Sequence, residues 1–379
     1  MKRYVIFCPH YLPHLGGVER YTYNLASELI KRGHEVIVVT SLIDDLPEQE
    51  ISDSIEIYRL PSILLLDGRF PVVKPSKTWK KVKEILNEAK ADLYIIQTRF
   101  YLLSLLGVRF ANKTAISSIV IEHGTAHFSV NNPLLDWMGH FYEHWITSRV
   151  KRLNKYFYGV SAACNNWLMH YKIQANGILY NAVDLIEIRR FMKKPVKDYK
   201  KELNIPSDAF IVTYTGRLLA AKGVLKLIES VEQLSKKYDC LFLMIAGIGD
   251  LYDEVKKKSG YHIHCLGQID YQNIIALLKQ TDIFCLPTDY PEGFPTSVLE
   301  AAACECFVIT TTSGGSKELI SNNSYGIILK ENSVEMISES IERVMLASDY
   351  RKQAVTLTYQ RLLEQFTWEK NARIIENLH

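Results

Sequence analysis

The chain has 379 residues, more than one hydrophobic core ordinarily holds, so two domains are expected. Its 45 Lys and Arg nearly cancel 42 Asp and Glu, for a formal charge of +3, which lacks the basic excess of a nucleic-acid binder. The apolar run from Tyr4 to Cys8 ends at Pro9, too soon for a secretory leader. The longest apolar stretch, Leu93 to Ala111, is interrupted by Gln97, Arg99 and Arg109, so no membrane span is expected. The seven cysteines are scattered. They read as reduced thiols of a cytoplasmic protein rather than as a disulfide framework or a metal site at Cys304 and Cys306.

In chain order, Tyr4 to Cys8 predicts a buried strand. Val18, Tyr21, Leu25 and Leu29 recur at helical spacing, Gly33 caps that helix, and Glu35 to Thr40 predicts the next strand. Two strands joined by one helix run parallel with a right-handed crossover. Leu93 to Gln97, Ala115 to Glu122 and Tyr156 to Val160 predict further strands. The basic stretch 186–206 predicts a linker between domains. Beyond it, strands are expected at Ile211 to Thr215, Leu241 to Ala246, His262 to Leu266, Ile283 to Leu286 and Phe307 to Thr310. Helices are expected over Val224 to Leu234, around Asn273 to Leu278, and over Val298 to Ala303. The alternation predicts an α/β chain of two doubly wound parallel sheets. One domain spans 1–185 plus 365–379, the other 207–364.

Ligands of such sheets bind outside the carboxyl ends of the strands, and the suspicious loops all follow strands. Gly16-Gly17 precedes a helix whose first amides could face a phosphate; a plain glycine turn is the alternative. Arg217 and Lys222 sit between a strand and a helix and could neutralise a leaving diphosphate, or could simply be solvated. The densest signal is Pro291-Glu292-Gly293-Phe294-Pro295-Thr296-Ser297-Val298-Leu299-Glu300. It combines a glycine, a proline suited to a first helical turn, two hydroxyls at a helix N-terminus, and two carboxylates suited to sugar or ribose hydroxyls.

The segment PEGFPTSVLEAAAC resembles the Glu–seven residues–Glu motif of the retaining glycosyltransferase family four, which has the GT-B fold. GGVER, the NAVD of Asn181 to Asp184, GRLLAAKG and IAGIGD follow the family's order across nearly the whole chain. The resemblance implies two Rossmann-like domains facing across a cleft. It implies that Gly17 gives an amide to the donor phosphate and that Arg217 and Lys222 bind the diphosphate. Glu292 would hold donor-sugar hydroxyls, and the stretch Gly293, Phe294, Pro295, Thr296 and Ser297 would line the sugar and phosphate through amides. Glu300 would hold the ribose, and His123, after the strand ending at Glu122, would lie beside the transferred sugar. The C-terminal helix bearing Trp368 would return to the first domain.

The implied reaction moves a hexosyl group from a nucleotide-diphosphate sugar to an acceptor hydroxyl with retention, the leaving phosphate taking the acceptor proton. No cofactor and no metal are expected, since there is no Asp-x-Asp motif and the cations can replace Mg²⁺. GDP-mannose users of the family often place Asp two residues beyond the hydrophobic residue of a Gly-Gln-Val-like turn. Here Gly267-Gln268-Ile269-Asp270 is followed by Tyr271. That departure favours a UDP-sugar, with GDP-mannose and a UDP-sugar epimerase as alternatives. The acceptor implied is a lipid-linked saccharide or a surface polysaccharide. Lys74, Lys77, Lys80, Lys81 and Lys83, with Phe70 and Trp79, suit docking on an anionic membrane surface at the inner face of the plasma membrane, or a solvated helix face. Trp137, Phe141, Tyr142 and Trp145 suit an acceptor groove or core packing.

Overall fold

The fold is taken from a computed structural model that describes residues 1–14, 16–43, 45–130, 132–194 and 197–378. Contacts divide the chain into two compact units, Met1–Asn181 with Trp368–His379, and Ala182–Thr367.

The first unit carries strands β1 (Arg3–Phe7), β2 (Glu35–Ser41), β3 (Gln49–Ser52), β4 (Ile55–Leu60), β5 (Ser62–Leu65), β6 (Phe70–Val73), β7 (Leu93–Gln97), β8 (Ser118–Glu122), β9 (Tyr156–Gly159) and β10 (Gly177–Ile178). Eight of them form one sheet in the order β10-β9-β8-β7-β1-β2-β4-β3, while β5 and β6 form a separate antiparallel hairpin. The large sheet is parallel except where β3 meets β4. Val5 therefore has Ile37 on one side and Tyr94 on the other, and all three belong to one buried core. Strand order reverses at β1, so its carboxyl end opens at a topological switch point. The helix after β1, Gly17–Lys31, buries Tyr21, Leu25 and Leu29. It closes with Gly33 N–H on the Ile30 carbonyl and His34 N–H on the Leu29 carbonyl, the paired bonds of a Schellman cap. The C-terminal helix Trp368–Glu376 packs in this unit. Trp368 meets Tyr21 edge-on at 5.0 Å, and Arg32 grips Glu376 with two bonds of 2.7 Å.

The second unit carries β11 (Phe210–Thr215), β12 (Leu241–Ala246), β13 (Ile263–Gly267), β14 (Ile283–Leu286), β15 (Phe307–Thr310) and β16 (Ile327–Ile328). They form an all-parallel sheet in the order β13-β12-β11-β14-β15-β16. Its switch point lies between β11 and β14. β12 and β14 read as unbroken, fully buried apolar runs, as strands covered on both faces do.

The stretch 186–206 is not a linker. Asp184 caps a helix over Leu185–Lys193 by accepting from Glu187 N–H, Asp198 caps a turn of helix at Tyr199–Glu202, and Ile188 and Tyr199 are buried. Arg189, Arg190, Lys193 and Lys201 mark the exposed face of these helices. Pro195 and Val196, within that stretch, lie outside the described residues, as does the terminal His379.

Candidate active site

In the second unit β11 runs into Gly216 and β12 into Gly247. At φ +150° Gly247 is in a conformation other residues avoid, and a Cβ there would stand 1.8 Å from the Gly216 carbonyl oxygen. The two loops thus meet backbone to backbone, which only glycine permits. Beside them opens a shallow pocket of about 280 Å³, lined by Gly216, Arg217, Ala246, Gly247, Ile248, Gln268, Ile269 and Ile274. Its walls are mostly backbone and isoleucine, and Arg217 is its only charged group.

Arg217 and Lys222 come together over one ring. The Arg217 guanidinium stands 5.1 Å from the centre of Tyr290 and the Lys222 ammonium 5.5 Å. Lys222 ends a short 3-10 turn, Ala220–Lys222, and is buried. Its charge is met by Glu292, which it contacts directly. A buried ammonium needs such a partner, and the pair brings residues 70 positions apart to one point.

The loop holding Tyr290 and Glu292 is pinned from behind. Thr311 Oγ1 donates to the Thr288 carbonyl, Ser313 Oγ to the Tyr290 carbonyl, and Gly315 N–H to Gly293 at 3.1 Å. Gly314, at φ +57°, lies so close that a Cβ would stand 2.7 Å from the carbonyls of both Glu292 and Gly293. The helix that follows is Thr296–Ala303, with Pro295 as its N-cap rather than inside its first turn. Proline is suited to the cap because Val298 N–H, at 3.2 Å, takes its carbonyl while no N–H is required of it. The first amides of this helix, at Thr296 and Ser297, have no intrahelical acceptor and carry the positive end of the dipole. Glu300 lies just over a turn along and is buried. Phe294 does not offer its ring to a ligand. The side chain is buried and meets Phe366 edge-on at 5.3 Å, so it anchors the loop.

In the first unit Gly16 is the N-cap of the Gly17–Lys31 helix. A Cβ on Gly16 would stand 2.3 Å from Glu19 Oε2, whereas one on Gly17 would meet nothing within 4 Å. Gly16 therefore makes room for a carboxylate of its own helix. Packing gives no reason for the glycine at Gly17. Glu19 is buried beside His14 at 3.5 Å and His10 at 3.9 Å, and burial pushes its carboxyl above the usual range.

His123 follows β8. Its Nε2 lies 2.7 Å from Gln97 Oε1 at the end of β7, and its ring meets Tyr21 edge-on at 4.8 Å. Burial pushes its imidazole down to about 3, so it is neutral at pH 7. Glu122 holds it from below by accepting the amides of His123 at 3.1 Å and Gly124 at 2.9 Å. Arg99, itself buried, binds Glu122 at 2.6 Å and Glu143 at 2.9 Å.

Two family models match the chain nearly end to end. "Glycosyltransferase Family 4" matches residues 15–187 and "Glycosyl transferases group 1" matches residues 195–361. The chain belongs to glycosyltransferase family four. An uncharacterized glycosyltransferase of Methanocaldococcus jannaschii is 24% identical over 97% of this chain and 96% of its own. TuaC of Bacillus subtilis, a glycosyltransferase named for teichuronic acid biosynthesis, is 26% identical over 88% of this chain and 82% of its own. Among solved structures, a glycosyltransferase from Rickettsia africae superposes with a TM-score of 0.76 at 20% identity, covering 99% of this chain and 97% of that one. Anabaena HepE in complex with UDP gives 0.75 at 16% identity, covering 99% and 98%. These likenesses carry the GT-B fold.

In this glycosyltransferase several site residues had no motif to announce them. Tyr290, under both cations, is one; Thr311, Ser313 and Gly314, behind the loop, are others. Gln97 and Arg99 were visible only as polar interruptions of an apolar run, and they turn out to hold His123 and Glu122. The lysine-rich helix, Lys77–Ala89, turns Val82 and Leu86 inward. Its Trp79 packs on Phe7 and Phe110, and Phe70 stacks on Tyr101 at 5.1 Å, so these aromatics face the unit's interior. Trp137, Phe141 and Trp145 are instead exposed, by 69%, 72% and 44%, while Tyr142 packs edge-on against Phe70 at 5.5 Å. All seven cysteines are free, and burial raises the thiols of Cys304 and Cys306. Among the described residues no helix is long and apolar enough to cross a membrane.

Proposed function

We propose that this enzyme transfers a hexosyl group, with retention, from a UDP-sugar to a hydroxyl of a lipid-linked saccharide or surface-polysaccharide acceptor. One observation carries the reading: Arg217 and the Lys222–Glu292 pair gather over Tyr290, beside a pocket floored by the backbone of Gly216 and Gly247. The pocket between Ile248, Ile269 and Gln268 takes the base, and buried Glu300 takes the ribose hydroxyls. The two cations and the amides of Gly293, Phe294, Thr296 and Ser297 take the diphosphate, and Glu292 takes hydroxyls of the sugar. As the glycosidic bond breaks, negative charge grows on the leaving phosphate. Donors already fixed in place, such as Lys222 held by Glu292, stabilise that charge without reorganising. In the first unit, the helix N-terminus at Gly17, with Gly16 beside it, offers an amide suited to a phosphate. His123, neutral and fixed by Gln97, gives the transferred sugar a hydrogen-bonding partner. The cations take the place a metal ion holds in other transferases, and the enzyme works in the cytoplasm, at the inner face of the plasma membrane.

Asp270 supports uracil over guanine. Its two carboxylate oxygens accept from Asn273 N–H at 2.8 Å and Asn273 Nδ2 at 3.0 Å, so it serves as a helix cap rather than as an acceptor for guanine N–H groups. HepE, a structure of the same fold, binds UDP. The lipid or polymer acceptor is supported by relatives: TuaC, and the GPI3 subunit of a yeast phosphatidylinositol N-acetylglucosaminyltransferase, 22% identical over 84% of this chain. The test is a panel of UDP- and GDP-sugars, read by thermal shift and by mass of the products with lipid-linked and saccharide acceptors. Selective stabilisation by a UDP-sugar and a glycosylated acceptor support the reading. Preference for GDP-mannose would overturn the donor assignment, and a free, epimerised sugar with no transfer would overturn the reaction.

A further inference from the structure

Outside the donor site, the first unit holds a cluster of imidazoles that nothing in the transfer chemistry uses. His127 lies in the loop after β8, His144 on the helix Pro133–Leu153, and His170 ends the helix Ala162–His170. One ligand nitrogen from each lies within 4.8 Å of the other two. We propose that His127, His144 and His170 bind a divalent transition-metal ion of the zinc class.

Distance and orientation agree on this. His144 Nε2 and His170 Nε2 are 3.2 Å apart. Two nitrogens bound tetrahedrally to zinc at about 2.0–2.1 Å stand roughly 3.4 Å apart, so small ring rotations suffice. The rings are also held. His170 stacks on Trp167 at 4.8 Å, with planes 4° apart. His127 Nδ1 faces Glu143 Oε2 at 3.2 Å and the Tyr171 hydroxyl at 3.1 Å. A carboxylate on one imidazole nitrogen is the usual device for aiming the other at a metal.

Behind the cluster, the single guanidinium of Arg99 faces two buried carboxylates, Glu122 and Glu143. Glu143 in turn meets His127 Nδ1, so this network runs directly into the cluster. Three histidines leave a fourth position for water, and imidazole ligands select zinc, copper or nickel over magnesium. The ion would tie the loop following His123 to two helices, bracing the base of His123 from outside the reaction.

The test strips the full chain with a chelator and titrates it with Zn²⁺ and with Co²⁺. Calorimetry and the visible absorption of bound Co²⁺ are the readouts. One equivalent, a tetrahedral Co²⁺ band displaced by Zn²⁺, and a loss of about 100-fold or more in affinity in the His144→Ala/His170→Ala variant support the site. Both rings are exposed, so the variant should keep the wild-type circular dichroism. His140 stacks on His127 at 4.0 Å without being one of the three, and His140→Ala should bind within a few-fold of wild type. Absence of stoichiometric binding, or equal affinity in the double variant, would overturn the proposal.

Discussion

Replacing Arg99 with Met tests whether the buried network under His123 is organised as described. Arg99, Glu122 and Glu143 are each no more than 2% exposed, and the guanidinium bridges both carboxylates. Met fills much of the volume and leaves two carboxylates without a counter-charge. Breaking a buried ion pair in this way costs about 3–5 kcal/mol. Glu122 retains the amides of His123 and Gly124, and Glu143 retains the Phe128 amide at 2.7 Å, so the loss should sit within that range rather than above it. All five tryptophans, residues 79, 137, 145, 167 and 368, lie in the first unit. Urea unfolding followed by tryptophan fluorescence therefore reports on the unit that Arg99 stabilises. Adding Glu122→Gln and Glu143→Gln to Arg99→Met should recover a substantial part of the loss, because the uncompensated charges are then gone. A single variant within about 1 kcal/mol of wild type would refute the reasoning.

Two further outcomes follow from the geometry. His123 has a folded pKa of about 3 against an ordinary value near ~6.5. The unfolded chain thus binds the extra proton, and stability falls as pH drops from about 6.5 toward 3. By pH ~4.5 the group alone should cost about 2–3 kcal/mol. His123→Gln should show a shallower acid slope by fluorescence-detected unfolding, and identical slopes would contradict the burial argument. In the second unit, Phe294→Ala removes the ring packed on Phe366 and should cost about 3–5 kcal/mol. Circular dichroism must be used, since that unit has no tryptophan. Donor affinity should fall with it, and full stability would mean that the ring does not anchor the loop.

The fold was legible where its residues are buried on both sides. Leu93–Gln97, Leu241–Ala246, Ile283–Leu286 and Phe307–Thr310 match their expected bounds residue for residue, because a parallel strand covered by helices is a continuous apolar run with turn residues at its ends. The basic helix Leu185–Lys193 was not legible. Leu185, Ile188, Phe191 and Met192 do recur at helical spacing, but only Ile188 is buried and the dense Lys and Arg around them masked the pattern. Trp137, Phe141 and Trp145 mislead in the opposite direction. Spaced four apart, they imitate a core stripe yet face solvent.

The site divides similarly. The meeting of Lys222 with Glu292 was legible, because both sit beside glycines in segments that follow strands. Glu19 was not, since nothing in GGVER shows that its carboxylate folds back over Gly16. Tyr290 was not, since its place under two cations depends on β11 and β14 being neighbours in the sheet.

The most direct test of the proposed donor site is UDP binding and sugar transfer by Lys222→Ala beside wild type. If the Lys222 ammonium stabilises the leaving diphosphate, turnover should fall by about 10²–10³-fold, the effect of losing one preorganised donor. UDP affinity should weaken and the circular dichroism should be unchanged. Transfer at the wild-type rate from an intact Lys222→Ala enzyme would contradict the account at its centre.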